Sequence, residues 1–80
     1  MKTFRDDTGV TWVASVRERT GDDYKGRFWL VMAPEDGNDG GEVELEDVRW
    51  NSLKTAERTL ATMSAGELKR RLRWAKARVG

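Results

Sequence analysis

The sequence predicts an α+β fold: a three- to four-stranded antiparallel meander followed by two C-terminal helices packed on one face. Three observations predict it. Val10, Trp12, Ala14 and Val16 alternate with more polar residues, and so do Val43 and Leu45, which is the period of a half-buried strand. Later the period becomes helical, with Leu68, Leu72, Ala75 and Val79 on one stripe. No repeat or linker interrupts the 80 residues, so they are read as one domain, with the sheet in 1–47 and the helical pair in 52–79.

Each element has its own local warrant. Thr3–Asp6 is a short extended start, and Asp7-Thr8-Gly9 is a turn. Val10–Arg19 is a strand whose other face carries Thr11, Val13, Ser15 and Arg17. Residues 20–26 form a loop, polar except for Tyr24. Arg27–Ala33 is apolar on both sides and is read as the central strand, ended by Pro34. Two registers stay open there. Either Trp12, Phe28 and Leu30 face the helices and Val13, Trp29 and Val31 face away, or Trp29 is the buried one.

Residues 35–41 form a long hairpin loop rich in turn residues. Glu42–Glu46 alternates cleanly, with Glu42, Glu44 and Glu46 outward, which suits an edge strand. Asp47–Asn51 reads equally as a strand extension or a linker. Ser52 caps a helix from Leu53 to about Thr62, with an apolar stripe of Leu53, Ala56, Leu60 and Met63. The last helix runs from Met63 to Arg78. Ser64 is its N-cap, Glu67 is placed to reach back to the Ser64 amide, and Met63 and Leu68 are placed as a hydrophobic staple.

Composition excludes several chemistries. With no Cys and no His, the chain has no disulfide, no zinc site of the usual ligands and no Cys- or His-based catalysis. Neither a membrane-length apolar run nor a signal-peptide core is present, so a cytoplasmic protein is expected. The charges are unevenly placed. Residues 1–47 hold 6 Lys/Arg against 12 Asp/Glu, a net of −6, and residues 48–80 hold 9 against 2, a net of +7. Attraction between the halves accounts for part of this, and a basic face toward an anionic partner for the rest.

Two surfaces emerge as candidate sites. The open face of the sheet, with Val13, Arg17, Arg27, Trp29 and Val31, would be an exposed apolar and aromatic patch suited to a protein partner or a homodimer. On the last helix, Arg70, Arg71, Arg73, Trp74, Lys76 and Arg78 would suit nucleic acid, with Trp74 stacking on a base and the cations on phosphates. The competing account of Trp74 is that it lies over the neighbouring helix or sheet with Arg70 or Arg78 stacked on it. A helix-turn-helix reading of the two helices is weakened by Thr62 where Gly is usual, and by the lack of a third helix upstream. Asp36, Asn38, Glu44 and Asp47 have partial calcium-loop spacing. Gly40 stands where a ligand is needed and Asp47 is short for a bidentate end, so no metal or cofactor is expected.

The opening Phe4-x-Asp6-x-x-Gly9-x-x-Trp12 and the closing Ser64-x-x-Glu67-Leu68 resemble short uncharacterised bacterial proteins with such a strand and such a helix. The resemblance implies a bacterial source and a compact sheet-plus-helix domain, and brings no activity with it. No nucleophile, phosphate-binding glycine loop or shielded pocket stands out, so an enzyme is not expected. The functional expectation is a binding or accessory module acting through a protein partner or self-association. The alternative is a nucleic-acid-binding module using the last helix.

Overall fold

The computed structural model describes residues 1–18, 27–37 and 41–79. The expected loop over 20–26, residues 38–40 of the hairpin loop, and the side chains of Glu46, Arg78 and Val79 lie outside the described residues.

Four strands, β1 (Lys2–Arg5), β2 (Thr11–Glu18), β3 (Phe28–Pro34) and β4 (Val43–Trp50), form one antiparallel sheet in the order β1-β2-β3-β4. Two helices follow, α1 (Leu53–Thr62) and α2 (Ala65–Val79). The expected α+β meander with two terminal helices is therefore the observed architecture. Its core lies between one sheet face and the helices. Phe4, Trp12, Ala14, Leu30, Met32 and Leu45 meet Leu60, Met63, Leu68, Leu72 and Ala75 there. Thus Trp12 and Leu30 face the helices. Phe28 is buried, but outside this main cluster.

β4 resolves the ambiguity over residues 47–51. Leu30 pairs with Leu45, yet the adjacent Trp29 pairs with Arg49. Three residues of β4, Glu46, Asp47 and Val48, thus stand where β3 has none. A bulge of that size reverses the inward phase of a strand whose side chains alternate. Val43 and Leu45 point inward before it, and Val48 and Trp50 pack against the core after it. Beyond the last β3–β4 pair, Met32 with Val43, Pro34 ends β3 where no β4 residue needs its missing N–H.

The helix starts follow the sequence. The Ser52 hydroxyl accepts from the Thr55 amide, and that of Ser64 from the Glu67 amide, both at 3.1 Å. Met63 and Leu68 are both buried in the core, as a staple requires. Glu67 does not show the expected return to Ser64; its carboxylate accepts instead from Arg71, one turn on. Leu53 departs from its stripe and is 47% exposed, because it begins α1 ahead of the first residue over the sheet, Ala56. At the other end of α1 the Lys2 ammonium donates to the carbonyls of Ala61 (3.1 Å) and Met63. A cation there satisfies carbonyls that the helix leaves open. It also ties β1 to the α1–α2 junction.

Candidate functional site

The β1–β2 turn is the most heavily hydrogen-bonded corner described. Asp6 Oδ1 accepts from the Thr8 amide (2.9 Å), the Thr8 hydroxyl (2.7 Å) and the Val10 amide (3.0 Å). Asp6 Oδ2 accepts from the indole Nε1 of buried Trp12 at 2.7 Å. The Thr8 hydrogen bond, against some desolvation and with help from Trp12 and the Val10 amide, holds the Asp6 carboxyl well below the usual carboxylate range. Backbone bonds from Gly9 N to Asp6 O and from Asp6 N to Val10 O close the turn, and Gly9 takes φ +91°. This is a three-residue hairpin loop with its left-handed residue at the glycine.

α2 lies against this corner, and its cations divide into three groups. At about 100° per residue, Lys69, Arg73 and Lys76 share the flank toward the turn, Arg70 and Trp74 point outward, and Arg71 lies on the far flank. Arg73 Nη2 donates to Asp7 Oδ2 at 2.8 Å, and the Lys69 ammonium lies 4.0 Å from Asp7 Oδ1. The Lys76 ammonium stands 4.7 Å from the Trp12 ring centroid, a cation–π contact. Arg71 pairs with Glu67 at 3.0 Å. An open cleft of about 170 Å³ lies between turn and helix, lined on the α2 side by Lys69, Leu72, Arg73 and Lys76.

Trp74 is 61% exposed. The expectation that it packs over a neighbouring element is therefore corrected: its position on α2 faces away from the sheet. Arg70, one turn earlier, is also exposed. Lys76 makes a cation–π contact with Trp12, and the expected stacking of Arg78 on Trp74 lies outside the described residues.

The open sheet face needs a larger correction. Trp29 and Val31 are 5% and 2% exposed, and Val13 and Arg17 are half-buried, so the described residues form no exposed aromatic patch there. Arg17 and Arg49 stand directly across from Trp29 on the two neighbouring strands. Arg17 also donates to Glu44 of β4 at 3.0 Å and to Glu42. Strands β2 and β4 lie on either side of β3, roughly 9.5 Å apart. The Arg17 side chain must cross β3 to make these bonds, and so roofs the row that holds Trp29 and Val31. The hydrogen bond from Arg17, against some desolvation, lowers the Glu42 carboxyl. Arg27 is exposed, with Glu18 3.7 Å away.

Among the described side chains, those singled out on the last helix are thus brought to one helix but not to one patch, and those on the sheet are mostly covered. Sequence reasoning missed Asp6 and Asp7 as more than turn residues. The spacing of Asp6 to Trp12, across one hairpin from each other, was the signal available for Asp6. Nothing in the sequence pairs Asp7 with Arg73, 66 positions on. Among the described residues no group of three or more His, Cys, Asp or Glu could hold a metal ion, and no helix is long and apolar enough to cross a membrane. No protein-family model, curated protein or solved structure matched the chain.

Proposed function

We propose that the chain is a small, non-enzymatic cytoplasmic binding module that meets a protein partner, or a second copy of itself, through the outward face of α2. The observation that carries this reading is Trp74, 61% exposed on a capped helix, with exposed Arg70 one turn before it. Trp and Arg are the residue types that anchor protein interfaces: the indole removes a large surface from water with few torsions to freeze, and the guanidinium presents a planar fork of donors. Burial of Trp29 and Val31 is why the contact is assigned to α2 rather than to the sheet. Lys69, Arg73 and Lys76 turn toward the β1–β2 corner and Arg71 pairs with Glu67 on the far flank, so among the described side chains the outward face offers a tryptophan with Arg70 beside it rather than a band of cations. That favours a protein surface over a phosphate backbone.

The test is Trp74→Ala, whose exposed site should leave the fold and melting temperature near those of the parent chain. Sedimentation over a concentration series and capture of cross-linked partners should both weaken in the variant. Association and capture that ignore the substitution would sink the reading. A second reading, nucleic-acid binding by α2, rests on the same exposed indole. It predicts affinity that falls by about 0.9 log unit per log unit of salt for each phosphate contact on duplex DNA, and that is lost in Trp74→Ala.

A further inference from the structure

We infer that the cleft between the β1–β2 turn and α2 is a phosphate-binding site, which Asp7 fills in the free chain. This goes beyond the proposed partner contact and does not involve Trp74. Lys69, Arg73 and Lys76 stand at positions i, i+4 and i+7 of one helix, and all three line the cleft. An oxyanion already sits against two of them: the Asp7 carboxylate, 2.8 Å from Arg73 Nη2 and 4.0 Å from the Lys69 ammonium. The neighbouring Asp6 does not compete, because both its oxygens are held by the turn and by Trp12. Two cations therefore face one carboxylate, and the third, Lys76, lines the same cleft beside the Trp12 ring.

The Asp7 pairing is displaceable. Its side chain is 63% exposed and that of Arg73 64%, and exposed ion pairs hold weakly. A phosphate dianion has twice the charge of a carboxylate and enough oxygens to engage the Arg73 fork and both ammoniums together. Asp7 lies in the turn rather than in a strand, so its side chain can swing out without disturbing sheet pairing. Displacement would also be reported internally, because the Lys76 ammonium rests on the Trp12 ring.

The experiment follows the backbone amides and the Arg73 side-chain Nε–H of the full chain by NMR at fixed ionic strength, during titration with inorganic pyrophosphate. Shifts should concentrate at residues 6–9 and 69–76. Asp7→Asn should bind about threefold tighter, the order of one exposed ion pair relieved, and Arg73→Gln should abolish the response in either background. Equal affinity in the parent chain and Asp7→Asn, or shifts that survive Arg73→Gln, would overturn the inference. A second arm uses an oligothymidylate without terminal phosphate. A response to pyrophosphate alone assigns the site to free or terminal phosphate, a response to the oligonucleotide extends it to backbone diesters, and silence in both arms overturns it. Arg73→Gln and the parent titration keep the test decisive if Asp7→Asn disturbs the turn.

Discussion

The indole Nε1 of Trp12 donates to Asp6 Oδ2 at 2.7 Å, so one carboxylate both shapes the first turn and orients the first large aromatic residue of the core. Phe4 pairs with Trp12 across β1 and β2, and Gly9 supplies the turn between them. The spaced Phe4, Asp6, Gly9 and Trp12 are thus one hairpin device, and it sets the turn that carries Asp7 to α2.

That device predicts an acid-sensitive stability. The Asp6 carboxyl is held below its ordinary value by hydrogen bonds from Thr8, Trp12 and Val10, although desolvation opposes them. A depressed folded-state value means that the stabilisation is complete above the unfolded value, about 3.9, and is lost as pH falls toward the folded one. Asp6→Asn should melt below the parent chain at pH 7, and the gap should narrow steadily below about pH 4. A gap independent of pH would show that the charge on Asp6 does not matter.

Gly9 gives a prediction free of electrostatics. A Cβ there would meet nothing within 4 Å, so the whole effect of Gly9→Ala is conformational. At φ +91° the substitution should destabilise by about 1 kcal/mol, measured as a lower urea midpoint at unchanged slope. Gly9→Asn should fall between the two, because Asn tolerates the left-handed region better.

The sequence carried the fold further than the site, for identifiable reasons. Period and caps are local, so β2, α1 and α2 were legible from Trp12 and Ala14, Ser52, Ser64, Leu68 and Leu72. Residues 47–51 were not, because the bulge after Leu45 puts Val48 and Trp50 out of phase with Val43. Trp29 reads as exposed in any pattern that places Trp12 inside, since Arg17, which crosses β3 to reach Glu42 and Glu44, comes from another strand. Trp74, by contrast, was legible as off the apolar stripe of its helix. Its exposure depended on what else could reach it, and periodicity alone does not decide that.

Leu53 and Leu60 separate pattern from packing. Both lie on the apolar stripe of α1, yet Leu60 is almost fully buried and Leu53 is largely exposed. Leu60→Ala should cost about 3 kcal/mol, a large part of the roughly 5 kcal/mol expected of so small a core. Leu53→Ala should stay within about 0.5 kcal/mol. Chemical denaturation of the two variants side by side checks the assignment, and equal losses would mean that Leu53 packs after all.

Arg17 offers the last prediction, because two explanations of its importance diverge. If its ion pairs with Glu42 and Glu44 matter most, neutralising it should be as harmful as truncating it. If its stem matters as the cover over β3, a residue that keeps the stem should suffice, as long side chains shelter apolar surface with their methylenes. Exposed ion pairs contribute little, and the Arg17 side chain is 40% exposed, so the second account is the stronger. Arg17→Met should therefore melt close to the parent chain and keep its tryptophan emission. Arg17→Ala should melt lower and shift emission to the red, as Trp29 gains water. The reverse order would place the stabilisation in the charges rather than in the cover over β3.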